Sequence, residues 1–204
     1  MSHPEQISFV QRTKLMHPRY FRNTRVLEVG SLNINGTVRE IFNNCDYIGV
    51  DIGHGPGVDL VAYGQELQFK DRFFDTVISA ECFEHNPYWK ETFLNMVRMC
   101  KGLVLVTAAT DGRAEHGTST SMPHASPLTI EKWNYYRNIS RLDLESLPLD
   151  EYFDSYEIEI DEDVHDIYFR GLVKDFEVPG FRRFKVFDLF QRVRSQEKSD
   201  SSNI

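Results

Sequence analysis

Residues Arg25-Val-Leu-Glu-Val-Gly30 read as a short apolar strand that ends on a carboxylate and a glycine. A turn running to Asn35-Gly36 and a short helical stretch come next, then a second strand, Tyr47-Ile-Gly-Val-Asp51, ending on a second carboxylate. Strand, glycine turn, helix, strand is the order that builds a parallel sheet, because parallel neighbours need a crossover connection. An acid about 20 residues beyond a glycine turn is suited to holding ribose hydroxyls. Chain order therefore points to a nucleoside-containing cofactor on the carboxyl edge of such a sheet.

The rest of the chain extends this pattern. Val38, Ile41 and Phe42 have helical spacing, and Asn43-Asn44 ends that stretch. Gly53-His-Gly-Pro-Gly57 is a turn; Asp59-Leu-Val61 is a third short strand, and residues 73–80 contain a fourth. Asn86 reads as a helix cap with Pro87 as first helical residue, and Trp89, Phe93, Met96 or Val97, and Cys100 form a buried stripe stopped by Lys101-Gly102. Leu103-Val-Leu-Val-Thr107 is the most apolar strand and is expected to be central. A polar loop at 109–128 follows, long enough to suggest a functional role, and then a helix from Thr129 carrying Ile130, Trp133 and Tyr136 or Arg137. Alternation at Tyr156, Ile158 and Ile160 and at Ile167 and Phe169, around an acidic turn at Asp161-Glu-Asp163, predicts a β-hairpin. Phe184 and Val186 add a further strand or anchor the end. The expected division is an N-terminal segment 1–24 that could cover the pocket, a domain over 25–191, and a polar tail over 192–204.

Composition narrows the function. The 204 residues suffice for one well-buried domain. With 23 basic and 31 acidic residues the net charge is −8, which argues against a protein that lives on nucleic-acid backbones. Cys45 and Cys100 fall at predicted helix ends and read as core filling, and no two of the three cysteines form a close metal-type pair. No apolar run approaches the roughly 18 residues of a membrane span, and the Met-Ser-His-Pro-Glu start does not read as a signal peptide; a cytoplasmic protein is expected. A homodimer is left open.

Four pieces together resemble the class I S-adenosylmethionine-dependent methyltransferase family of the type 11 kind: Val26-Leu-Glu-Val-Gly30, Gly49-Val-Asp51, the stretch from Phe74 through Glu81-Cys-Phe-Glu-His85, and Lys101-Gly-Leu-Val-Leu-Val-Thr107. The resemblance covers residues 25–171 and is most specific in the third piece. It implies a Rossmann-like open seven-stranded sheet, mostly parallel, with the last strand inserted antiparallel so that the edge is a hairpin, in a three-layer α/β/α fold. It implies S-adenosyl-L-methionine as cofactor and methyl transfer as activity. Carried over by position, Glu28 and Gly30 flank the methionine part, with Asn35 and Gly36 ending the turn. Asp51 holds the ribose diol and Ile52 packs on adenine. Ala80 and Glu81 sit near the transferring methyl group. Tyr63 stands where the family often has an acid for the adenine amine, and stacking on adenine is its alternative role.

On the acceptor side, His116, His85 and Arg113 are the catalytic candidates. A histidine near neutrality can take a proton as the methyl leaves sulfur, and an arginine can hold an anionic acceptor. His116 and Arg113 could equally tie the loop to its neighbours. Asp59 either caps the Gly53–Gly57 turn or touches ligand. Asn86-Pro87-Tyr88 resembles the tetrapeptide of amino-group methyltransferases, but it lacks a proline and sits too far from the strand, so the helix-cap reading is preferred. His85, His116 and His124 lack tight ligand spacing, and no metal is expected. The expectation is methyl transfer to a small-molecule acceptor. The rivals are a non-catalytic cofactor-binding protein with the same fold and, less well supported because the compact three-glycine turn is absent, a nicotinamide-dependent oxidoreductase.

Overall fold

The computed structural model describes residues 4–174. Seven strands form one sheet in the order β3-β2-β1-β4-β5-β7-β6. They are β1 (Arg25–Val29), β2 (Asp46–Asp51), β3 (Leu60–Val61), β4 (Phe74–Ala80), β5 (Cys100–Ala109), β6 (Phe153–Asp161) and β7 (Asp166–Val173). The first five run parallel; β7 lies antiparallel between β5 and β6, so the hairpin predicted from alternation closes the sheet edge as expected. The chain order of parallel strands reverses beside β1, which leaves a crevice at the carboxyl ends of β1 and β4 where ligands of such sheets bind.

Helices cover both faces. On one, α2 (Trp89–Met99), α4 (Arg141–Glu145) and α5 (Leu149–Tyr152) cover Leu27, Val77, Val104 and Phe169 with Phe93, Met96, Leu144 and Leu149. On the other, α1 (Pro4–Met16) places Phe9 and Val10 against Val26, Ile78, Leu105 and Tyr168, with Phe9 stacked on Tyr168 at 4.9 Å. The result is the three-layer α/β/α arrangement. Among the described residues no helix is long and apolar enough to cross a membrane.

Several local expectations are corrected. The helix after Gly36 is a single 3-10 turn at Arg39–Ile41. Too few residues separate Gly36 from Asn43 to repay helix nucleation, although Val38, Ile41 and Phe42 are buried as their spacing implied. Asn86 does not cap α2: its side chain accepts from the Tyr88 amide at 2.8 Å, closing the turn before a helix whose N-cap is Tyr88. Lys101-Gly102 does not stop α2 either. Cys100 turns directly into β5, and Gly102 is a strand residue whose added Cβ would lie 2.5 Å from the Asp75 carbonyl oxygen, so its glycine serves close packing. The helix expected from Thr129 is short, α3 (Pro127–Ile130), and the left-handed Asn134 (φ 42°) ends the turn that follows it. The strand foreseen around Phe184 and Val186, the boundary at 191 and the tail 192–204 lie outside the described residues.

Candidate functional site

The carboxyl ends of β1, β2 and β4 open onto a cleft at the position where sheets of this topology bind ligands. Its floor is Val29 and Gly30 from β1 and the turn after it, and Val50, Asp51 and Ile52 from β2. Gly30 has φ +83°, and an added Cβ would sit 2.5 Å from Cys82 Cβ. Glycine is thus required twice over, for backbone conformation and for the approach of the β1 turn to the β4 turn. Asp51 is fixed by its surroundings: its Oδ2 accepts from the Leu32 amide at 2.9 Å and its Oδ1 from the Ile52 amide at 2.8 Å. Burial raises its pKa, and these two amides act against that rise. Each oxygen retains acceptor capacity, as a carboxylate that also held a diol would need.

The opposite wall combines the turn after β4 with segments distant in sequence. Glu81 and Cys82 follow β4, Gln65 belongs to a 3-10 turn after β3, and Leu128, Thr129 and Trp133 come from α3 and its turn. Trp133 donates its indole N–H to the His85 carbonyl at 2.6 Å, and the Arg137 amide donates to the Glu84 carbonyl at 2.8 Å. These two bonds hold the segment after α3 against the short turn Phe83–His85. Asn86 also lines the cleft; its side-chain amide donates to Thr92 Oγ at 2.9 Å.

Of the cofactor residues expected from sequence, Gly30, Asp51, Ile52 and Glu81 meet in this cleft. Glu28, Asn35, Gly36, Tyr63 and Ala80 do not line it. Strand alternation explains two of these placements. Glu28 and Ala80 point to the α1 face, one residue out of phase with Val29 and Glu81. Glu28 is 4% exposed, and its Oε2 accepts from the Tyr47 hydroxyl at 2.9 Å. Burial lifts its pKa to about 7, the Tyr47 bond opposing the rise. Asn35 is exposed on the turn, and the Gly36 amide donates to Asn33 Oδ1 at 3.0 Å. Tyr63 packs on Trp133 with ring centroids 5.7 Å apart, so it backs a wall residue. Asp59 accepts from the Gly49 amide at 2.7 Å and pairs with Arg39 at 3.0 Å, a structural role different from the turn cap considered for it.

The acceptor-side candidates separate. His85 lines the cleft and is nearly buried; burial, then the neighbouring His116, lowers its pKa to about 3, so the ring is neutral near pH 7. His116 stands behind it with ring centroids 4.9 Å apart and packs on Tyr136 at 4.8 Å. It does not line the cleft, though the 110–126 loop brings it against His85. Arg113 is an anchor: it donates to the Val164 carbonyl at 2.6 Å and pairs with the buried Asp166 at 2.9 Å, tying the loop to the β6–β7 hairpin. Glu81 has a left-handed backbone, φ 51°, uncommon for a non-glycine residue and typical of strained functional turns. Burial, then Glu84, raises its pKa well above the usual carboxylate range. Burial also lifts Glu84 to about 7; its own amide and that of Ala109 favour its charge without completing a hydrogen bond. No residue of 4–24 lines the cleft, so α1 covers the opposite sheet face and does not close this site.

The sequence profile described as a methyltransferase domain (type 11) matches residues 27–105, the span that carries the cleft floor and Glu81–His85. Solved structures share the fold. CurJ carbon methyltransferase superposes with a TM-score of 0.58 at 14% identity, covering 82% of this chain and 54% of that one, so this chain spans about half its length. YcgJ from Bacillus subtilis gives 0.56 at 12% identity, covering 85% of this chain and 100% of that one. The 1,6-didemethyltoxoflavin-N1-methyltransferase of Burkholderia thailandensis, solved with 1,6-didemethyltoxoflavin and S-adenosylhomocysteine, gives 0.54 at 13% identity, covering 86% and 92%. No curated protein sequence matches the chain.

Proposed function

Starting from the premise that this chain has the class I S-adenosylmethionine-dependent methyltransferase fold of the type 11 kind, we propose that it binds S-adenosylmethionine in the β1–β2–β4 cleft and transfers the methyl group to a small molecule. The observation that carries this reading is the placement of Asp51 at the end of β2, held by two amides and facing the cleft across from the left-handed Gly30. In it, Asp51 takes the ribose hydroxyls, Ile52 packs on adenine, and the Gly30 turn lets the methionine part approach the backbone. Glu81 and His85 are the lining residues that would flank the methyl group.

Transfer requires little covalent chemistry from the protein. Bound there, the cofactor would supply an electrophilic methyl group for an acceptor lone pair. The site must align the two molecules and exclude water. Glu81, whose pKa burial raises and whose Oε1 accepts from the Thr107 hydroxyl at 3.2 Å, stands on the wall that would face the acceptor. Neutral His85 is too weakly basic to remove a proton from an ordinary alcohol, which favours an acceptor that attacks as a free amine, a thiolate or an already acidic hydroxyl. A net charge of −8 and a walled cleft support a small molecule over a nucleic acid.

The test is calorimetric titration of the full chain and of Asp51→Ala with S-adenosylmethionine. Loss of charge-assisted hydrogen bonds should cost about 1.5–3 kcal/mol, roughly a 10- to 150-fold rise in Kd. Equal affinity in both proteins would remove the ribose assignment.

A further inference from the structure

Behind the cleft wall three side chains converge on one buried point. Glu84 is fully buried, and neither of its carboxylate oxygens accepts a hydrogen bond. The Nδ1 of His85 is buried and also lacks a hydrogen-bond partner. His116 completes the group: one ligand-type atom from each residue lies within 4.8 Å of the other two. An unsatisfied buried carboxylate is costly, and beside two imidazoles it matches a cation site better than a packing defect. His116 Nδ1 lies 3.1 Å from the Ala114 carbonyl oxygen. A backbone carbonyl against one ring nitrogen is the kind of contact that orients metal-binding histidines. Gly117 makes the approach feasible. Its φ is +66°, and an added Cβ would lie 2.6 Å from His85 Cε1. Only a glycine there lets the loop carry His116 this close to the turn that carries Glu84 and His85.

We propose that Glu84, His85 and His116 bind one divalent transition-metal ion of the zinc class, with a coordination position left for an oxygen or nitrogen ligand. Two imidazoles and one carboxylate suit zinc or ferrous iron and not calcium or magnesium, which prefer oxygen ligands. Three protein ligands with an open position are the pattern of catalytic metal sites, closed structural sites having four. Tetrahedral zinc with bonds of about 2.0–2.1 Å holds its ligand atoms roughly 3.3–3.4 Å apart, so binding draws the three side chains inward. His85 belongs both to this cluster and to the cleft lining, which puts the metal beside the acceptor end of the site. Bound there, it would lower the pKa of an acceptor hydroxyl or thiol and hold it in place. The inference does not depend on which cofactor the cleft takes. In sequence the cluster is hidden, because Glu84 and His85 are adjacent and His116 lies far along a polar loop.

The experiment is titration of chelator-treated full-length protein with Co²⁺ and with Zn²⁺, followed by visible absorption and by bound metal per chain. Wild type should bind one equivalent and give the intense visible bands of low-coordinate cobalt. Glu84→Gln, nearly isosteric, and His116→Ala should each weaken binding about 100-fold or more, while the exposed His54→Ala should not. Folding of each variant is checked by circular dichroism, and the wild-type spectrum requires no variant at all. Absence of stoichiometric binding, a weak six-coordinate spectrum, or undiminished binding by folded Glu84→Gln would overturn the proposal.

Discussion

Arg113→Met is expected to lower folding stability by about 3 kcal/mol while leaving affinity for S-adenosylmethionine unchanged. Asp166 is 1% exposed, and its carboxylate is held by Arg113 at 2.9 Å and by Gln6 at 2.6 Å. Removing the guanidinium leaves a buried acid with neutral donors only, which places the expected loss at the low end of the range for broken buried pairs. Burial already raises the Asp166 pKa, and Arg113 is the largest influence lowering it. Without Arg113 the carboxyl pKa rises further, so the stability deficit should grow as pH increases. Urea denaturation at two pH values, with calorimetry on the same samples, measures both effects. Unchanged stability together with lost turnover would return Arg113 to the catalytic role that its loop position suggested.

Glu28→Gln should act in the opposite direction, stabilising the protein by about 3 kcal/mol at pH 8 and by almost nothing at pH 4. Glu28 is buried against Tyr47, and burial raises its pKa from 4.5 to about 7. A raised folded pKa means that the native state prefers the protonated acid. That preference contributes fully below pH 4.5 and is lost as pH rises through about 7, where the native state must carry a buried charge. Glutamine keeps the shape and can still accept from the Tyr47 hydroxyl without ever ionising. Thermal melts of both proteins across pH 4–8 give the difference directly. A pH-independent difference, or reduced cofactor affinity in Glu28→Gln, would return Glu28 to the ligand.

These two residues show where local pattern stops informing. Gly30, Asp51, Ile52 and Glu81 were legible because a strand end and the turn after it fix where a side chain emerges, and those features are local. Glu28 and Ala80 belong to the same motifs but face the other side of the sheet, one step out of phase. A strand buried on both faces carries no polarity alternation that would mark the step. Gln65 and Trp133 carry no local mark of a cleft residue, because tertiary contacts such as the Trp133–His85 bond bring them there. The sheet was largely readable, including the β6–β7 hairpin, since its strands are apolar runs or strict alternations. The spacing of Val38, Ile41 and Phe42, and of Ile130 and Trp133 after Thr129, suits a helix but is satisfied equally by a 3-10 turn or a single helical turn.

The central claim is that the β1–β2–β4 cleft takes S-adenosylmethionine with its ribose on Asp51. Its most direct test is a crystal structure of the full chain grown with saturating S-adenosylhomocysteine. The account predicts ligand density in the cleft, both ribose hydroxyls within hydrogen-bond distance of the Asp51 carboxylate, adenine against Ile52, and the sulfur directed toward Glu81 and His85. A cleft without ligand at saturation, or the ligand bound away from Asp51, would contradict it.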